Sequence, residues 1–140
     1  MHRLADAVLA CIGELAPVTL VSPSLPVGEC KGRRIAITGG AGSIGSAMIG
    51  HLLDAGAAHV AVIDRSEAAL HRVQECWSAD SRVHAVLLDV CNEDALAACL
   101  HGIGVHDVMH AAAHKHVPLV EANPEAGIRN NVFGTRSALC

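Results

Sequence analysis

The sequence predicts an α/β domain built on a parallel sheet with helices on both faces, and three observations carry that expectation. Short uncharged β-type runs recur along the chain, segments with apolar residues at three- and four-residue spacing alternate with them, and a glycine-rich loop lies where the first run meets the first such segment. Strands joined through helices run parallel with right-handed crossovers, which puts the first strand centrally and predicts the order 3-2-1-4.

The elements follow in chain order. Residues 1–32 read as a leader: a helical pattern at Leu4–Leu15, then Pro17, Pro23 and Pro26, which do not continue a helix. From Arg33 a domain over residues 33–140 begins. Ile35-Ala-Ile-Thr38 is an uncharged strand of the kind covered on both faces. Ser43–Ala55 carries Ile44, Ala47, Met48, Leu52 and Ala55 on one helical side, with Gly56 as its stop. The unit repeats as a strand at Val60–Ile63 ending at Asp64 and a helix at Glu67–Trp77. A third strand, Val83–Leu88, ends at Asp89 and is followed by a helix at Glu93–Leu100. Asp107–His110 is a fourth strand, and Pro124–Cys140 has a loose helical pattern through Ile128, Val132 and Leu139. A doubly wound sheet normally continues into a second half, so the pattern predicts a Rossmann-type half-domain truncated after about four strands.

Bulk properties narrow the function classes. The 140 residues are 51% hydrophobic and 17% charged, the balance of one globular domain with a real core. A net charge of −4 with scattered Lys and Arg gives no footprint for nucleic acid. Six cysteines without a C-x-x-C pair favour free thiols and a cytoplasmic location over disulfides or zinc. The apolar stretch Leu4–Val21 is broken by Asp6, Glu14 and Pro17 and falls short of the ~20 apolar residues of a membrane span. Tyrosine is absent, so the Tyr acid/base used by many enzymes with this loop type is not in this chain.

The chemistry concentrates in four places. Gly40-x-Gly42-x-x-Gly45 overlaps a second frame, Gly39-x-x-Gly42-x-x-Gly45, preceded by Thr38. A tight turn, backbone without Cβ against a pyrophosphate, and a helix N-terminus facing negative charge all require glycines at this spacing. The absence of a Gly-Lys-Ser/Thr ending excludes a Walker A loop. Asp64, 19 residues after Gly45, is placed to accept from adenosine ribose hydroxyls and favours NAD, whereas Arg65 offers a partner for the 2′-phosphate of NADP; both cofactors stay open. Asp89 and Val90 end the third strand at the adenine position. His110-Ala-Ala-Ala-His114-Lys115-His116 lies at the crevice edge, where Ala111 and Ala112 let backbone approach the cofactor. His110 belongs to the strand and the later histidines to a loop, so no metal site is expected. Lys115 reads either as a surface lysine or as a cation for a substrate phosphate.

These residues together resemble the CapD-type polysaccharide biosynthesis proteins, extended short-chain dehydrogenase/reductases that act as nucleotide-sugar 4,6-dehydratases or epimerases. The resemblance runs from about Gly32 to the end, through Thr38–Gly45, Asp64-Arg-Ser-Glu67, Leu88-Asp-Val90, His110–Glu121, Asn123-Pro124 and Ile128–Thr135. It implies that Ser43, Ile44 and Gly45 hold the pyrophosphate, that Asp64, Arg65 and Ser66 hold the ribose, and that Asp89 with Val90 borders adenine. It further implies that Ala111 lies at the cofactor, Lys115 contacts the sugar nucleotide and Asn131 is a structural active-site asparagine. His114 departs from the pattern, where a bulkier aromatic or aliphatic residue is usual.

The implied reaction oxidises a sugar such as that of UDP-N-acetylglucosamine at C4, eliminates water across C5 and C6, and returns the hydride to C6. Its acid/base residues fall on later segments, so this chain is expected to bind cofactor and to hold no catalytic residue, with a homo-oligomer left open. A stand-alone nucleotide-sensing or interaction module is the competing expectation.

Overall fold

The structure, a computed structural model, describes residues 30–139; of the expected leader only its last three residues fall within that range, and the helical pattern at Leu4–Leu15 lies outside it. Four parallel strands, β1 (Arg34–Thr38), β2 (His59–Asp64), β3 (Val83–Leu87) and β4 (Asp107–His110), form one sheet in the order β3-β2-β1-β4. The predicted order is therefore observed. Register is set by pairs such as Ile37↔Val62, Ile37↔Met109 and Val62↔Ala85.

Period-two alternation sends each interior strand's residues to two different cores. Ile35, Ile37, Val60 and Val62 meet Ile49, Leu52 and Leu53 of α1 (Ser43–Asp54) and Leu70 and Val73 of α2 (Glu67–Cys76). Ala36, Ala61 and Ile63 face Leu96 of α3 (Glu93–Ile103), with Val90 beside it. Ile35–Thr38 and Val60–Ile63 are nearly inaccessible, which accounts for the lack of charge in those runs; Arg34, His59 and Asp64 at the strand ends are only partly buried. The edge strands β3 and β4 are half-buried.

Local chemistry explains most boundaries. Ser66 caps α2 by accepting from the Ala69 N–H, and Asn92 caps α3 by accepting from the Ala95 N–H. The third strand stops at Leu87, one residue short of the predicted end, and the Leu88 N–H donates to the Asp64 carbonyl. α3 runs past the predicted Leu100 to Ile103, where Gly104 closes it in the left-handed conformation.

The C-terminal region differs more from expectation. The sequence pattern assigns no element to 117–122, yet α4 (Val117–Ala122) forms there with Pro118 in its first turn, where a missing N–H costs nothing. The predicted final helix is divided into α5 (Pro124–Ile128), a π-helical turn (Arg129–Phe133) and α6 (Gly134–Leu139). Among the described residues no helix is long and apolar enough to cross a membrane.

At the N-terminal end of the strands the His59 ring stacks on His84, centroids 4.2 Å apart, and its buried Nε2 has no hydrogen-bond partner. Burial, then the charges of His84 and Arg34, hold the His59 pKa below its ordinary 6.5. The unfolded chain therefore binds more protons than the folded one just below that value, so stability is full above pH 6.5 and falls as pH drops beneath it. Urea midpoints measured across that range should decline toward acid in the native chain and decline less in His59→Asn; parallel curves would remove His59 as the cause.

Candidate functional site

The carboxyl ends of β1, β2 and β4 and the segment after β3 surround a cleft of about 160 Å³. Gly39 and Gly42, Asp64 and Arg65, Asp89 and Val90, and Ala111 and Ala112 all line it. It lies where strand order reverses between β1 and β4, the topological switch point at which such sheets bind ligands.

The glycine loop is shaped by close backbone approach. Gly39 has φ +65°, and a Cβ there would stand 2.6 Å from both N and Cα of Ala112. A Cβ on Gly45 would stand 2.6 Å from the Gly39 carbonyl oxygen and from Gly40 Cα. At Gly42 the same atom would meet only the Gly39 oxygen, at 3.2 Å, and otherwise the cleft. Two glycines thus close the turn and one leaves room in front of it.

Donors in this loop divide into used and unused. The Gly40 N–H donates to the Ile63 carbonyl, that of Gly42 to the Gly39 carbonyl, and that of Ala41 to Asp64 Oδ2 at 3.2 Å. Ser43, Ile44 and Gly45, the first turn of α1, have no intrahelical acceptor, and Gly42 supplies no side-chain cap. No acidic side chain stands in that turn, so it offers free donors and the positive end of the helix dipole to an anion.

Asp64 does more than its predicted role requires. Its Oδ1 accepts from the Ser66 N–H at 3.0 Å while Oδ2 holds Ala41, so one carboxylate ties the β2 turn to the glycine loop. Carboxylate oxygens have further lone pairs to offer a ligand. Asp89 Oδ1 accepts from the Cys91 N–H at 2.9 Å; that bond, ahead of weaker contributions from Arg65 and Arg129, holds its carboxyl below the usual range and keeps it ionised. Arg65 reaches across the mouth to His114 Nε2 at 3.0 Å.

Of the remaining predicted residues, Ser43, Ile44, Gly45 and Ser66 stand beside the cleft rather than on its lining. Lys115 lies in an adjoining hollow formed with Leu119, Val120 and Ala126, and His114 borders both spaces. Asn131, in the π turn, grips the His114 backbone: its Oδ1 accepts from the N–H at 2.8 Å and its Nδ2 donates to the carbonyl at 2.9 Å. Sequence reasoning missed Asn130, a buried polar residue on the lining that donates to Asn131 Oδ1. Its only signal was an asparagine pair inside an apolar helical pattern. It also left His114 as a packing anomaly, whereas the ring is a hydrogen-bond partner of Arg65. No group of three or more His, Cys, Asp or Glu side chains converges on a point among the described residues.

The fold and cleft define a Rossmann-like nucleotide-binding unit of the short-chain dehydrogenase/reductase type. The sequence profile of the polysaccharide biosynthesis protein family matches residues 35–140, and the chain belongs to that family. It is 32% identical over 125 residues to a probable polysaccharide biosynthesis protein, EpsC, of Bacillus subtilis, covering 86% of this chain and 21% of that one. It is 32% identical over 113 residues to the capsular polysaccharide biosynthesis protein CapD of Staphylococcus aureus, covering 78% and 19%. Among solved structures it resembles DesIV, a dTDP-glucose 4,6-dehydratase of Streptomyces venezuelae determined with NAD bound, at TM-score 0.67 and 33% identity over 76% of this chain and 34% of that one. Pen from Bacillus thuringiensis superposes at TM-score 0.75 and 29% identity, covering 79% and 33%. The chain thus spans about a fifth of those two curated relatives and a third of those structures.

Proposed function

We propose that this chain is the NAD(P)-binding portion of a nucleotide-sugar 4,6-dehydratase or epimerase of polysaccharide biosynthesis, working on a UDP-N-acetylglucosamine-type substrate. Division of labour is part of the proposal: residues 33–140 hold the dinucleotide and no acid/base residue, and the chemistry belongs to other segments. The observation that carries it is the first turn of α1, whose N–H groups have no intrahelical acceptor or side-chain cap and which directly follows Gly42, a residue of the cleft lining where an added Cβ would meet only one carbonyl oxygen. An anion of pyrophosphate size satisfies those donors.

Asp64 and Ser66 would take the adenosine ribose, Asp89 and Val90 the adenine edge, and Ala111 and Ala112 the flank nearer the nicotinamide. Lys115, at the adjoining hollow, would pair with the sugar nucleotide. A carboxylate accepts from both ribose hydroxyls and repels a 2′-phosphate, so NAD+ should bind more tightly than NADP+. NAD bound in the DesIV dehydratase supports that preference.

Calorimetric titration of the purified chain tests this directly. Heat with NAD+, and a weaker response to NADP+, is the expected result. No heat with either from a folded sample sinks the dinucleotide reading, and tighter NADP+ binding would transfer the selecting role to Arg65.

A non-catalytic nucleotide-sensing module is the second reading. It is favoured by the exposed apolar side chains of Val117, Leu119, Val132, Phe133 and Leu139 on α4, the π turn and α6, which suit a docking face. Turnover of a nucleotide sugar once the chain is combined with the further segments of its longer relatives would decide against it.

A further inference from the structure

Ala111, Ala112 and Ala113 form the β4 side of the cleft, and the histidines that flank them are held in different ways. His114 is held by its backbone, through the two hydrogen bonds to Asn131. His110 is held by its ring: Nδ1 is 2.6 Å from Thr38 Oγ1 and Nε2 is 3.0 Å from Thr135 Oγ1. Thr135 Oγ1 in turn donates to the Asn131 carbonyl at 2.7 Å.

Proton counting along this chain has one solution. A hydroxyl carries a single proton, and a carbonyl only accepts, so the Thr135 proton lies toward Asn131. The Thr135 oxygen must then receive from His110, which places the ring proton on Nε2 and makes Nδ1 the acceptor for Thr38. The opposite tautomer would set lone pair against lone pair at Thr135. A doubly protonated ring would leave the Thr38 hydroxyl, on a fully buried side chain, without an acceptor among these partners. Burial alone pulls the His110 pKa below its ordinary 6.5, in keeping with a neutral ring.

Both anchors of the three-alanine wall therefore lead to the same turn of helix. Asn131 of the π turn and Thr135 of α6 stand four residues apart and are linked by the bond from Thr135 Oγ1 to the Asn131 carbonyl, and β4 has no strand on its outer edge among the described residues to steady the wall otherwise. The wall also passes Gly39 at a separation that excludes even a methyl group, so small displacements would alter the cleft.

We propose that Thr38, His110 and Thr135 form a tautomer-locked clamp that, together with Asn131, presets the Ala111–Ala113 wall for the dinucleotide, with His110 and Thr135 as positioning residues. The cofactor part of this statement rests on the reading in the preceding subsection.

Long-range 1H–15N spectra of the ligand-free chain near neutral pH should show His110 with its proton on Nε2; a proton on Nδ1, or an averaged pair of signals, overturns the clamp. Thr135→Val keeps the side-chain shape and removes the hydroxyl. It should raise the NAD+ dissociation constant about tenfold, the loss of one positioning bond, average the His110 signals and speed exchange of the His114 amide. Thr135→Ser should restore all three. Unchanged affinity and an unchanged tautomer in Thr135→Val overturn the proposal, and if that variant does not fold, the native tautomer and the serine variant still decide. If the native chain binds neither NAD+ nor NADP+, the dinucleotide reading falls while the spectra still report on the clamp.

Discussion

Replacing Gly39 with alanine should destabilise the domain by roughly 2–4 kcal/mol, whereas Gly42→Ala should leave stability within about 1 kcal/mol of the native chain and weaken NAD+ binding on the order of a hundredfold. The two glycines belong to one motif and face different neighbours. At Gly39 the φ of +65° disfavours any L side chain, and the new methyl would collide with Ala112 N and Cα at 2.6 Å. Those are backbone atoms of the segment leaving β4, so relief requires separating the glycine loop from the cleft's opposite wall. Gly42 has φ −75° and ψ 174°, extended backbone open to every residue, and its added methyl would touch only one carbonyl oxygen. That methyl would, however, occupy the space between the α1 donors and the proposed pyrophosphate. Urea unfolding followed by circular dichroism and NAD+ calorimetry on both variants separates the effects. Equal losses of stability at the two positions would contradict this division.

Asp64→Ala should cost NAD+ affinity on the order of a hundredfold and NADP+ affinity less, so that the preference moves toward NADP+. Two losses combine. The backbone N–H groups of Ala41 and Ser66 lose their shared acceptor, which loosens the glycine loop against the β2 turn. The ribose loses its proposed carboxylate partner, and Arg65 is left as the charged residue at that rim. Asp64→Asn should fall between, because one oxygen remains while an amide N–H₂ opposes one of the two backbone donors. Fluorescence or calorimetric titration of both cofactors against the three proteins reads the shift; an unaltered NAD+ to NADP+ ratio in Asp64→Ala would take cofactor choice away from this residue.

Much of the fold was legible because it depends on local signals. β1 and β2 read as strands because uncharged runs flanked by glycine and aspartate have few other compact uses, and their order follows from the handedness of crossovers. α1 and α2 read from apolar spacing that the core contacts reproduce at Leu52, Leu70 and Val73. α4 escaped notice because six residues are too few to show a period, and its proline reads as a breaker unless its place in the first turn is known. The π turn escaped because an apolar pattern of period 3.6 carries no mark of one extra residue per turn.

The candidate site divides along the same line. The glycine loop, Asp64, Asp89 and the three alanines could be placed from sequence because each sits at the end of a strand whose position was already determined. Asn130 could not, since its place on the lining depends on the π turn. Nor could the Arg65–His114 contact or the Thr38–His110–Thr135 chain, whose members are brought together from separate elements.

By itself, then, the sequence determined a parallel α/β unit with a glycine loop opening a helix, and an acid at the tip of the next strand. Those features are encoded within a few residues of one another, by periodicity and by the steric demands of a turn. Tertiary structure alone decided that Asp64 braces the glycine loop, that the His110 ring lies between the Thr38 and Thr135 hydroxyls, and that Asn131 holds the far end of the three-alanine wall. Hydrogen bonds between residues distant in sequence depend on directions and distances to within a few tenths of an ångström, and only the packed sheet and helices supply them.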